Sequence, residues 1–201
     1  MKDSLVIVAF FILGVVCGLD HILLDVFAAD SDISFYALCA LMFFVGMNVG
    51  SDSNIFTSIR SVNPRLMILP LLTVAGTLAG TAFAGLFFPR HSLTDCLAVG
   101  SGFGYYSLSS IFIAEYRGAE LGTVALLANI ARELIALLLA PLLVRVFGKL
   151  APISAGGATT MDTTLPVILR NSGQQYVMLS VFHGFLVDFS VPFLVTFFCS
   201  I

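Results

Sequence analysis

The sequence predicts an all-α integral membrane protein with about seven transmembrane segments, two of them broken into half-helices. Three observations carry this. Of the 201 residues, 59% are hydrophobic and only 10% charged, with a mean hydropathy of +1.04, whereas a soluble domain is about 45–50% apolar and about 25% charged. So little charge does not cover a soluble core, and so much apolar surface excludes disorder. The apolar residues also fall into runs of the about 20 that cross a bilayer as helix. Finally, two of those runs hold Gly, Ser, Thr or Pro at their centres. A net charge of −3 offers no basic patch to nucleic acid. Cys17, Cys39, Cys96 and Cys199 stand singly in apolar surroundings with no C-x-x-C pair. They read as small core residues rather than a disulfide framework or zinc site, and neither metal nor cofactor is expected.

In chain order, the first span is Leu5–Leu24, interrupted late by Asp20 and His21. It is too long for a signal peptide, has only Lys2 ahead of it, and no A-x-A site follows. The second is Ile33–Val49 and the third Leu66–Phe88, both free of charge, with the polar stretch Asp52–Arg65 and its Asn63-Pro64 breaker between them. The fourth, Leu97–Tyr116, is long enough to span but has Gly100, Gly102 and Gly104 at alternate positions, then Ser107, Ser109 and Ser110. Each glycine costs a helix interior about 1 kcal/mol relative to alanine, so a break is expected there. The fifth, Leu121–Val146, is a strong helix former carrying Asn129, Arg132 and Glu133. The sixth, Leu150–Ile168, is a second interrupted segment, with Pro152, Gly156, Gly157, four threonines, Asp162 and Pro166. The seventh, Tyr176–Phe198, is apolar except for His183 and Asp188.

This order divides the chain into a three-helix unit, 1–90, and a four-segment transport core, 91–201. With the N-terminus inside, Lys2, Arg60, Arg65, Arg117 and Arg170 are cytoplasmic, while Arg90, Arg145 and Lys149 are outside. The excess of inner basic residues, and four aspartates in the first outer loop, predict a cytoplasmic N-terminus and an external C-terminus. Gly14/Gly18, Gly46/Gly50 and Gly76/Gly80 are G-x-x-x-G pairs that read as helix packing.

Broken spans are where chemistry is expected. In hydrocarbon, irregular backbone survives only inside protein or beside a water-filled cavity, and secondary transporters aim half-helix ends at a solute near the midplane. A Glu, Asp or Arg at a helix centre costs about 2.5–3.5 kcal/mol. An apolar neighbour returns only about 0.3–0.6 kcal/mol, so Glu133, Arg132 and Asp162 call for a compensating role. Asn129 and Glu133 are i and i+4 and share a helix face; Arg132 points elsewhere, toward another acid. The competing structural accounts are an ion pair of Glu133 with Arg132 or Arg170, and an Asp162 helix cap on Thr164 and Leu165. The two acids form an anionic locus suited to a cation or a proton. Ser101, Gly102, Tyr105 and Thr160 line it, Tyr105 by a cation–π contact with an ammonium group. N–H groups near Gly102–Gly104 or Gly157 are expected to receive a carboxylate. His183 is a possible proton relay, although a lone intramembrane histidine is more often a hydrogen-bonded packing residue.

Four stretches make a pattern: Ser101-Gly-Phe-Gly-Tyr-Tyr-Ser-Leu-Ser109, Asn129-Ile-Ala-Arg-Glu-Leu-Ile135, Gly157-Ala-Thr-Thr-Met-Asp-Thr-Thr-Leu-Pro166 and Phe182-His-Gly-Phe185. In this order they closely resemble the lysine exporter (LysO) family of bacterial inner-membrane proteins, and Leu41-Met-Phe-Phe-Val-Gly-Met47 also looks like it. The resemblance implies export of L-lysine and its analogues, two essential intramembrane acids at Glu133 and Asp162, and a fold related to cation/proton antiporters with crossed half-helices. Single-chain members are roughly one and a half times longer, so the chain resembles their C-terminal two-thirds. That implies a small partner of about three spans, or a homo-oligomer.

The expected function is a secondary transporter, not an enzyme, that exports lysine across the bacterial inner membrane in exchange for protons. A Na+/H+ or other cation antiporter fits the same acids, and a non-transporting scaffold subunit would tolerate substitution at both. An intramembrane serine hydrolase built on Ser107 or Ser109 with His183 lacks the G-x-S-x-G elbow.

Overall fold

The computed structural model describes residues 65–88 and 90–201, together with Phe43 and Met47. The chain divides into two compact units, Met1–Asp52 and Ser53–Ile201. Apart from Phe43 and Met47, which are helical and exposed, every described residue lies in the second. The expected span Leu5–Leu24, most of Ile33–Val49, and the pairs Gly14/Gly18 and Gly46/Gly50 lie outside the described residues.

The described part of the second unit contains helices and turns and no strand, as an all-α fold requires. Its helices are α1 (Leu69–Gly85), α2 (Leu93–Gly100), α3 (Tyr106–Arg117), α4 (Ala119–Phe147), α5 (Ala151–Gly156), α6 (Leu165–Ser172) and α7 (Val177–Ser200). Two 3₁₀ turns, Gly157–Met161 and Gln174–Tyr176, precede α6 and α7. Local chemistry sets the boundaries. Ser92 and Asp95 form a capping box at the start of α2: Ser92 Oγ accepts the Asp95 N–H at 3.0 Å, and the Ser92 N–H donates to Asp95 Oδ2 at 3.1 Å. Pro70, Pro152 and Pro166 stand in the first turns of α1, α5 and α6, where a missing N–H costs nothing.

Both interruptions fall where the glycine content predicts them. The expected fourth span is split between α2 and α3, and the expected sixth between α5 and α6. Among the described residues, Gln174–Ser200 is the one helical stretch long and apolar enough to cross a membrane by itself. At 1.5 Å per residue, α7 alone is about 36 Å long. It places Phe189, Phe193 and Phe197 outward and Asp188, Val191, Val195 and Cys199 inward, the arrangement of a helix whose outer solvent is lipid. α1 is apolar but only 17 residues long. α4, at 29 residues, is long enough but carries Glu120, Arg132, Glu133 and Arg145.

Ile153, Ile168, Leu179 and Phe182 form a core cluster with Leu66, Leu69, Leu150 and Leu186 packed around it. It clamps α5, α6 and the first turns of α7 together and so fixes both sides of the second break. Hydrocarbon gives such contacts no water-release advantage, so their worth is close packing. Among the described residues, nothing lies within 4 Å of where a Cβ would stand on Gly76 or Gly80. Tight approaches among the described residues include Gly100 against Thr81, Gly122 against Ala114 and Gly184 against Met161.

Candidate functional site

The two breaks meet backbone to backbone. The Ala158 N–H donates to the Phe103 carbonyl at 2.9 Å. Phe103, Gly104 and Gly157 adopt positive φ of 46°, 94° and 63°. A Cβ on Gly157 would run into the Phe103 carbonyl oxygen, so only glycine allows this approach. Asn129, 3% exposed, holds the first break in shape. Its Oδ1 accepts the Gly104 N–H at 2.8 Å, and its Nδ2 donates to Ala125 O at 2.9 Å and Val99 O at 3.2 Å. Gly102 presses against the Asn129 amide and Ser109 Oγ. Ser101, fully buried, donates to Leu97 O at 2.7 Å. The N–H groups expected to greet a carboxylate are therefore committed: that of Gly104 to Asn129, that of Ala158 to Phe103, and that of Tyr105 to Gly102 O.

Arg132 is engaged in the same junction, and its expected pairing with an acid is corrected. Its Nε donates to Ala155 O at 3.0 Å, Nη2 to Ser154 O at 3.1 Å and Nη1 to Thr77 Oγ1 at 3.1 Å. The guanidinium carbon stands 5.8 Å from the Phe103 ring centroid. A cation here satisfies the last carbonyls of α5 and matches the negative end of that helix. The threonines of the second break do similar work. Thr159 Oγ1 donates to Gly156 O at 3.0 Å and Thr164 Oγ1 to Thr159 O at 3.0 Å. Thr160 Oγ1 lies 2.9 Å from Gly157 O, 3.0 Å from Ser180 O and 3.1 Å from His183 Nδ1. His183, fully buried, reaches Thr73 Oγ1 at 2.9 Å through Nε2. Thr160 and His183 thus pin the 3₁₀ turn Gly157–Met161 to α7 and α1, and neither touches a carboxyl. Ser109 Oγ donates to Tyr105 O at 2.8 Å, and the His183 ring nitrogens meet Thr160 and Thr73 rather than Ser107 or Ser109.

The two acids singled out by cost do come together, through a residue that nothing in the sequence marks out. Thr163 donates its hydroxyl to Glu133 Oε1 at 2.6 Å and its N–H to Asp162 Oδ1 at 2.6 Å. The same hydroxyl oxygen is 3.4 Å from Asp162 Oδ1. Asp162 accordingly binds the next N–H in the chain rather than capping Thr164 and Leu165. Neither acid has an ion-pair partner among the described residues; the Arg117–Asp95 pair, at 3.8 Å, involves neither. Asp162 and Thr163 are exposed and Glu133 half-buried, so a solute can reach the pair. Half-buried Tyr105 lies within electrostatic range of Asp162 and of Asp188 on α7. The sequence alone does not set the depth of Asp188, which depends on where α7 begins and ends. A cavity of about 410 Å3, lined by Thr81, Phe88, Cys96, Val99 and Leu121, lies apart from these carboxyls.

Residues 8–199 match the lysine exporter LysO family. The chain is 35% identical over 198 residues to the lysine exporter LysO of Escherichia coli K12, an alignment covering 98% of this chain and 64% of that protein. It is 32% identical over 165 residues to a candidate lysine exporter of Haemophilus influenzae, covering 82% of this chain and 83% of that one. The chain thus spans somewhat under two-thirds of the Escherichia coli protein's length. No solved structure matches it. With the four motif stretches all inside the matched region, the chain belongs to the lysine exporter LysO family.

Proposed function

We propose that this chain is the transport core of a bacterial inner-membrane exporter that moves L-lysine and its analogues out of the cytoplasm in exchange for protons. The observation that carries this is the Glu133–Thr163–Asp162 bridge: two carboxyls without a basic partner among the described residues, held side by side next to unwound backbone. An ammonium group is a compact cation with three donors, and the paired carboxylates match it. Lysine leaves as a net monocation against a membrane potential, negative inside, worth about 2.3 kcal/mol per charge per 100 mV. Export therefore needs a driving ion, and protons moving inward through the same site supply it. The half-helices α2/α3 and α5/α6 are read as the crossed pair of cation/proton antiporters, with residues 91–201 as the core. Asn129, Arg132, Ser101 and Gly102 keep that junction in shape. A small subunit of about three spans, or a second copy of this chain, is proposed as partner.

The test is lysine efflux from liposomes holding the purified protein. Glu133→Gln and Asp162→Asn keep the shape of each side chain and remove its charge. Both are expected to fold, by monodisperse elution, and to lose efflux. Efflux at the unaltered rate in either variant overturns the assignment. Sodium transport without lysine transport favours the cation-antiporter reading, and indifference to both substitutions favours a scaffold subunit.

A further inference from the structure

Asp188 stands at the middle of α7, only 7% exposed, and makes no hydrogen bond or ion pair among the described residues. Its neighbours Val187 and Val191 are fully buried. The face of α7 that carries it is fixed by packing. Ser180 O meets Thr160 Oγ1, His183 Nδ1 meets the same hydroxyl, and Gly184 lies flush against Met161 with no room for a Cβ. Asp188 follows Gly184 by four residues and so lies on that face, one turn further along. There the chain runs from Met161 into Asp162, and Asp162 and Tyr105 lie within electrostatic range of Asp188. Arg132 lies within electrostatic range of His183 on α7, with its donors taken by Ala155, Thr77 and Ser154. Arg117 and Asp95 meet its far end at Cys199, and His183 is taken by Thr73 and Thr160.

We propose that Asp188 is the proton-carrying carboxyl of the exchange, a third member of the site distinct in role from Glu133 and Asp162. The inference rests on the lysine/proton exchange proposed above. Glu133 and Asp162 receive donors from Thr163 and are reachable by water. Asp188 has no such donor and little water, and a proton is what neutralises it. Lysine arriving at Glu133 and Asp162 from the cytoplasm brings positive charge, which favours the carboxylate of Asp188 and expels its proton inward. A proton taken up by Asp188 from outside removes negative charge and weakens the hold on lysine, which leaves outward. The linkage is reciprocal, as any coupling between two binding sites must be.

The experiment separates two activities of the full chain in liposomes. One is exchange of labelled for unlabelled lysine without a gradient; the other is net lysine movement driven by an imposed pH gradient. Asp188→Asn mimics the protonated carboxyl, so it is expected to exchange lysine with a raised half-saturation and to lose the gradient's stimulation, which is on the order of tenfold for a coupling in the usual range. Asp188→Glu keeps an ionisable group and is expected to recover stimulation with a displaced pH profile. A purely structural role would be met by the isosteric asparagine. Gradient-driven transport by Asp188→Asn equal to wild type overturns the proposal, as does loss of exchange together with gradient drive. Wild-type exchange that ignores the pH gradient overturns the proton assignment alone. Absence of exchange in the wild type overturns the exporter reading with it.

Discussion

Thr163 divides its two donors between two acids, its hydroxyl to Glu133 and its N–H to Asp162. A hydrogen bond to a charged group is worth about 1.5–3 kcal/mol. Thr163→Val keeps the side-chain shape and the N–H but removes the hydroxyl. It is expected to weaken lysine binding by about tenfold to a hundredfold, read as a raised half-saturation of exchange, and Thr163→Ser is expected to restore it. The acids themselves were legible, because a carboxyl in an apolar helix announces its cost. Thr163 was not, because its partner Glu133 is 30 positions away in the chain and only the tertiary fold joins them. Arg132 was misjudged for a related reason. Its intramembrane cost is equally plain, yet the carbonyls of Ser154 and Ala155 that absorb it carry no mark in a sequence.

At the scale of elements, three alternate glycines and a threonine-rich turn foretold both breaks. What they could not foretell is that the breaks satisfy one another, Ala158 bonding Phe103 across the junction. The glycines expected to free N–H groups for a substrate instead bring two backbones into contact. This makes Gly157 a structural hinge point with a measurable cost. Gly157→Ala forces a Cβ into the Phe103 carbonyl at a left-handed φ, whereas Gly148→Ala meets the same φ penalty (φ 89°) in open space. A left-handed residue costs about 1–2 kcal/mol and overpacking typically adds about 1–3 kcal/mol. Gly157→Ala is therefore expected to lower the melting temperature in detergent by about 5–10 °C and Gly148→Ala by less than about half of that. Equal shifts would show that the two breaks are not in contact.

On the scale of the whole molecule, the direction of transport depends on which way the chain threads the bilayer. α4 is the element that decides it. Its 29 residues extend about 44 Å, more than the about 30 Å hydrocarbon core, and exposed Glu120 and Lys149 flank its two ends. With the N-terminus cytoplasmic, as the basic-residue bias leads one to expect, the Glu120 end would lie in the cytoplasm and the Lys149 end outside. In a background with Cys17, Cys39, Cys96 and Cys199 replaced by alanine, Lys149→Cys is expected to react with a membrane-impermeant thiol reagent in intact cells. Glu120→Cys is expected to react only after permeabilisation. The reverse pattern inverts the topology, so that Arg117 lies outside and Arg145 inside, against the charge bias. Reaction of both positions from one side would mean that α4 does not cross, and a helix bearing Arg132 and Glu133 at its centre would then need no membrane explanation for either charge.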